Sequence, residues 1–160
     1  MRGAMIYERI VVGPFCENTY IAGTTESGSC IVIDPGDEAD RIIKAAERMR
    51  LKIELIVATH AHVDHIGAVA GLKAATGAPF RLAEAEMPLV QAYDLQCSMF
   101  GVRLGQKPTI DSFITDGEII CAGGLEFRVI STPGHSPGGL CLLAGKALFC
   151  GDTLFEGSVG

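Results

Sequence analysis

The sequence predicts one α/β domain spanning residues 1–160, and three observations carry that expectation. Strand-like stretches joined by turn residues open the chain. An apolar run at 53–58 then empties into a loop crowded with histidine and aspartate, followed by a helical period. After a mixed middle section come two further hairpin patterns. With 48% hydrophobic and 20% charged residues, a chain of 160 residues is long enough to bury a core of its own. No internal repeat stands out.

Met5–Val12, residues 19–23 and Ser29–Ile33 read as three strands joined by Gly13-Pro14 and by residues 24–28, an antiparallel meander. Asp34-Pro35-Gly36 ends it. Residues 37–50 then read as a helix with Asp37 as N-cap and Ile42, Ile43, Ala46 and Met49 as its apolar stripe. Asp34 is either a carboxylate that orients a metal-binding imidazole or an ordinary turn residue before Pro-Gly.

The run Ile53-Glu54-Leu55-Ile56-Val57-Ala58 reads as a buried strand, and Thr59-His60-Ala61-His62-Val63-Asp64-His65 follows it directly. In extended backbone His60 and His62 leave the same side, so both imidazoles can reach one ion. Asp64 continues that alternation while His65 points elsewhere, so one short loop can feed two adjacent metals, His60 and His62 the first, Asp64 and His65 the second. Nitrogen and carboxylate oxygen without thiolate suit zinc, iron or manganese. A lone histidine at a helix start is commonly a cap or a core residue. Here three of the chain's four histidines share one loop, which that explanation does not cover. Residues 65–75 then carry a helical period.

Residues 78–83 read as a short strand, 84–100 as a helix interrupted near Met87-Pro88, and 101–112 as a polar excursion, either a lid or a disordered loop. Tyr93, Arg103 and Lys107 there are candidates to meet an anionic substrate or to be plain surface. Residues 119–121 and 125–130 form a hairpin that delivers Thr132-Pro133-Gly134-His135-Ser136-Pro137-Gly138, a rigid loop with the fourth histidine at its centre. A last hairpin, residues 140–143 and 147–150, leads to Gly151-Asp152-Thr153. Asp152 is either a carboxylate bridging two metals or a turn or cap residue.

The net charge of −6, with no basic run, argues against nucleic acid as a partner. Residues 1–5 lack the apolar segment of a secretion signal and no run approaches membrane-spanning length, so a cytoplasmic protein without a membrane partner is expected. Six scattered cysteines with no C-x-x-C pair are expected to be reduced and without catalytic role. Cys30, Cys141 and Cys150 lie in strand-like runs as small hydrophobes.

H-A-H-V-D-H at 60–65, T-P-G-H-S-P-G at 132–138 and G-D-T-L-F at 151–155, supported by I-D-P-G at 33–36, together resemble the metallo-β-lactamase superfamily. Within it the phrases are similar to the glyoxalase II-like hydrolases of the short bacterial type. The resemblance implies a four-layer αβ/βα sandwich, two mixed β-sheets packed face to face with helices outside. It implies two divalent metal ions, zinc with iron or manganese as alternatives. Metal 1 would be held by His60, His62 and His135 and metal 2 by Asp64 and His65, with Asp152 between them. A cysteine is expected at position 152 in β-lactamases of the main dinuclear class, which disfavours antibiotic hydrolysis.

The resemblance also implies one more histidine near the C-terminus; none follows His135 here, and the chain is expected to be truncated, with a poorer second metal site. The expected reaction is hydrolysis of a small-molecule thioester such as an S-acylglutathione, by a hydroxide that the metals make available near neutral pH. Asp64 would be the catalytic residue that orients it. The same scaffold also serves a persulfide dioxygenase, with one iron on His60, His135 and Asp152, and a lactonase; a metal-binding but inactive domain is the non-enzymatic alternative.

Overall fold

The computed structural model describes residues 3–160. Met1 and Arg2, part of the stretch read as lacking a leader, lie outside the described residues. The first sheet holds β1 (Met5–Val12), β2 (Glu17–Thr24), β3 (Ser29–Ile33), β4 (Lys52–Val57), β5 (Phe80–Ala83) and β6 (Ser112–Ile114), side by side in chain order. β1 to β3 form the antiparallel meander, and β3 to β6 run parallel. Parallel neighbours need crossovers. These are supplied by α1 (Ala39–Arg48), by α2 (Val63–Ile66) with α3 (Val69–Thr76), and by α4 (Met87–Gln91) with α5 (Tyr93–Phe100).

The second sheet is antiparallel throughout: β7 (Ile119–Ala122), β8 (Leu125–Ser131), β9 (Leu140–Ala144) and β10 (Ala147–Phe149), in the order β10-β9-β8-β7. A two-residue hairpin of β11 (Leu154–Phe155) and β12 (Ser158–Val159) follows.

Alternation along β3 explains the layers. Cys30 and Val32 point into an apolar cluster shared with Ile42, Val63, Val69, Val90 and Tyr93, one residue from each helix. Ile31 and Ile33 point the other way, into a cluster with Phe127, Val129 and Leu142 of the second sheet. The helices therefore cover one face of the first sheet and the second sheet packs on the other, an α/β fold with its two sheets face to face. A register shift opposite Cys30 and Ile31 leaves Glu54 unmatched on β4, so Ile53 and Ile56 face the helices while Leu55 and Val57 face the second sheet. Among the described residues no helix is long and apolar enough to cross a membrane, and all six cysteines are free thiols.

Several element bounds differ from the sequence reading. Asp37 does not cap α1: its carboxylate accepts the N–H of Glu38 at 2.7 Å, and Glu38, at φ +56°, is the residue before the helix. The helix expected over 65–75 is two pieces, because the chain already turns helical at Val63 and breaks at Gly67-Ala68. The interruption near Met87-Pro88 is the change from a 3-10 turn, Glu84–Glu86, to α4; Pro88 lies in the first turn of α4, where its missing N–H is tolerated, and a further break falls at Ala92. Residues 101–111 are an ordered segment, not a disordered loop. Gly105 N–H donates to Gly67 O at 3.2 Å, and Lys73 holds Thr109 and Asp111 at the far end.

Candidate metal centre

The loops after β4, β8 and β10 meet at one end of the two sheets and bring five of the six expected site residues within a few ångströms of one another. His62 Nδ1 lies 3.0 Å from His60 Nε2 and 3.1 Å from His135 Nε2, so three ring nitrogens from two loops converge. The His60 ring centre is 4.0 Å from His65, 4.6 Å from His62 and 4.9 Å from His135. Burial, and then the neighbouring imidazoles His65, His62 and His135, hold His60 well below the usual histidine pKa. Burial and His135 lower His62 in the same way. A lowered pKa favours the neutral ring, the form that binds metal.

The other half of the cluster is anionic. His65 is fully buried in α2, with its Nδ1 3.2 Å from Asp34 Oδ2 and its Nε2 3.2 Å from Glu17 Oε2, 3.4 Å from Asp152 Oδ1 and 3.9 Å from Asp64 Oδ2. Burial alone would lower its pKa, yet the charge of Asp34 and the facing carboxylates of Asp152 and Glu17 outweigh that and raise it well above the usual value. Asp152 divides its oxygens between the halves, Oδ1 toward His65 and Oδ2 3.3 Å from His135 Nε2. Burial would raise its carboxyl, and His65 more than offsets this and holds it below the usual range.

Asp64 stands at the edge of the set, its side chain 23% exposed, and burial raises its carboxyl against an opposing pull from His65. The expected alternation stops at His62, because α2 begins at Val63. Helical geometry separates Asp64 from His65 by about 100° around the axis, so one faces the rim and the other the interior.

The loops are held by groups the sequence reading ranked low or missed. Asp34, at φ +52°, accepts the Thr59 N–H at 2.6 Å and the Thr59 hydroxyl at 2.8 Å as well as facing His65. Its carboxylate thus bonds the start of the ligand loop and faces the His65 ring at 3.2 Å, the placement that an orienting carboxylate needs. Glu17 opens β2, just outside the strand expected there. Glu86 is fully buried and accepts the Ala61 N–H at 2.7 Å and the Gly138 N–H. Gln96 donates to the Ala61 carbonyl at 3.3 Å. No local pattern marks Glu86, in a 3-10 turn, or Gln96, in α5. Tyr93 is buried and donates to Gly105 O at 2.8 Å, so it does not face a substrate as the sequence reading allowed. A surface groove of about 510 Å³ lies away from this cluster over α1 and α3; donor chemistry, not volume, locates the site.

These residues fit metal ions. Neither ring nitrogen of His65 has an aligned hydrogen-bond partner among the described residues, although both are buried and face carboxylates. A buried polar atom left unsatisfied costs about 1–3 kcal/mol, and a cation between Nε2 and the oxygens of Asp152 and Asp64 would remove that cost. Ligand-capable atoms of His60, His62 and His135, and of His60, His65 and Asp152, lie within 4.8 Å of one another in each group.

The fold and this cluster define a class. Residues 12–160 match the metallo-beta-lactamase superfamily, and the chain belongs to it. It is 34% identical to the hydroxyacylglutathione hydrolase GloC of Haemophilus influenzae, over 98% of this chain and 75% of that protein. Among solved structures it is similar to the BLEG-1 B3 metallo-beta-lactamase, at 31% identity and a TM-score of 0.87 over 97% of this chain and 76% of that one. It is also similar to TTHA1623, solved in a di-iron-bound form, at 35% identity and a TM-score of 0.85 over 96% and 75%.

Proposed function

We propose that the protein is a metal-dependent hydrolase of thioesters such as S-acylglutathione. The observation that carries this is the convergence of His60 Nε2, His62 Nδ1 and His135 Nε2 beside a carboxylate, Asp152, that turns one oxygen to each half of the cluster. The similarity to GloC supports the substrate class. His60, His62 and His135 would hold one ion, His65 and Asp64 a second, and Asp152 would touch both. Bound there, zinc, iron or manganese would supply Lewis-acid polarisation of the thioester carbonyl and a lowered pKa for water.

The chain's own groups do the rest. Asp64 Oδ2, on the rim, would accept a hydrogen bond from the attacking water and aim it at the carbonyl carbon. Asp34 would fix the His65 ring through Nδ1. The departing thiolate is a fairly good leaving group and needs no strong acid from the protein. The acidic balance of −6 supports a small molecule rather than nucleic acid as substrate, and we place the protein in the cytoplasm.

The test is turnover of an S-acylglutathione by metal-loaded protein, with a β-lactam, a lactone and glutathione persulfide in parallel. Thioester loss that disappears with chelation and in His60→Ala is expected. Retained turnover in metal-free His60→Ala would sink the assignment. Oxygen consumption with the persulfide and none of the hydrolyses would replace it with the iron dioxygenase, and β-lactam cleavage alone would align the protein with BLEG-1.

A further inference from the structure

The loop carrying His60 and His62 follows a strand of the first sheet and the loop carrying His135 follows a strand of the second, and a single side chain touches both. Glu86 Oε2 accepts the N–H of Ala61, the residue between the two imidazoles, at 2.7 Å, and Oε1 accepts the N–H of Gly138, three residues beyond His135. Gln96 takes the Ala61 carbonyl, so the peptides on both sides of Ala61 are held. The approach at Gly138 is close. A Cβ there would stand 3.0 Å from Glu86 Cγ and 3.1 Å from Ala85 Cβ, so a glycine is what lets the loop reach the carboxylate. Glu86 itself is set by a single 3-10 turn, Glu84–Glu86, that leads into α4 and its Pro88. It is fully buried and forms no ion pair among the described residues; amide dipoles from the two loops answer its charge.

We propose that Glu86 is a positioning residue for metal binding, locking the two loops in the register that brings the ring nitrogens of His60, His62 and His135 together. This deepens the metal-centre reading above and rests on it. Without the lock, an arriving ion must itself order the loops, and that ordering is subtracted from its affinity.

The test is Co²⁺ binding by competition with a chromophoric chelator, together with the visible spectrum of bound Co²⁺, which reports ligand geometry. Glu86→Gln keeps the volume but turns an amide NH2 toward one of the two N–H donors, so only one loop stays held. A fall in affinity of about 10–100-fold is expected, the usual effect of losing a group that orients ligands, with an altered cobalt spectrum. Glu54→Gln is the control. It breaks a like carboxylate-to-main-chain bond, Glu54 to Gly123 N–H, outside the ligand loops, and is expected to lower the melting temperature while leaving cobalt affinity unchanged.

If the wild type binds no cobalt, the metal-centre reading itself fails. If the wild type binds and Glu86→Gln matches it in affinity and spectrum, or if both variants lose affinity alike, the positioning role fails and the metal centre stands. Should Glu86→Gln not fold, Glu86→Asp keeps the charge one methylene short of bridging both loops and carries the same expectation.

Discussion

Asp34 Oδ2 lies 3.2 Å from His65 Nδ1 and 2.8 Å from Thr59 Oγ1, so one buried carboxylate bonds the start of the ligand loop and faces its last imidazole. Asparagine tolerates the left-handed backbone that Asp34 adopts, whereas alanine does not. Asp34→Asn is expected to cost about 2 kcal/mol of stability, from weakened buried hydrogen bonds, and to lower metal content. Asp34→Ala should cost about 1 kcal/mol more, for the strained φ. Urea denaturation of the two variants checks this, and equal stabilities would show that backbone strain at this position is negligible.

Tyr93 offers a cleaner separation of structure from chemistry. Its hydroxyl is spent on the Gly105 carbonyl, and burial pushes its pKa up. Tyr93→Phe should cost about 1 kcal/mol and loosen residues 101–111 while leaving KM for the thioester unchanged. A raised KM at unchanged stability would return Tyr93 to the substrate.

Gly36 and Gly28 differ in what surrounds them. A Cβ on Gly36 would run into the main-chain carbonyl of Asp64, whereas one on Gly28 meets open space and only the strain of φ +63°. Gly36→Ala should therefore cost about 3 kcal/mol and disturb metal binding, against about 1 kcal/mol for Gly28→Ala with metal binding intact. Thermal melts with metal analysis separate the two, and a well-folded Gly36→Ala carrying full metal would refute the close approach.

Acid should loosen the Lys73–Asp111 tie. The Lys73 ammonium and the Phe80 N–H hold the Asp111 carboxyl below the usual carboxylate range. A depressed folded pKa gives stability that is complete above the unfolded value and is lost as pH falls through the folded one, here below about pH 4. The group is largely exposed, so after solvent screening the contribution is about 0.5 kcal/mol. Asp111→Asn should remove that part of the pH dependence, and stability curves from pH 7 to pH 3 that superimpose for variant and wild type would show the tie to be inert.

The parts of this molecule that were legible in the sequence are those written in local pattern. The meander and both late hairpins could be read from strand-like runs joined by turn residues, and four titratable groups within six residues marked the ligand loop. The helix bounds slipped where the signal was a cap, because Asp37 bonds its neighbour's N–H and Glu38 enters α1 in a left-handed conformation with no side-chain cap. Glu17, Glu86 and Gln96 escaped because their meaning arises only when distant segments meet: Glu86 is 25 residues from Ala61 and 52 from Gly138. A glutamate at the head of a helix carries no mark of the two loops that will fold over it.

The boundary between the sheets has a further consequence. His60, His62 and His65 follow the first sheet and His135 and Asp152 the second, while between them lie Ile31, Ile33 and Val57 against Phe127, Val129 and Leu142. That interface is apolar, and polar bonds such as Leu140 N–H to Thr59 O at 3.0 Å cross between the sheets. Ions held across it would act as a clasp on a two-leaved book, so that shedding the metal and parting the leaves become one event.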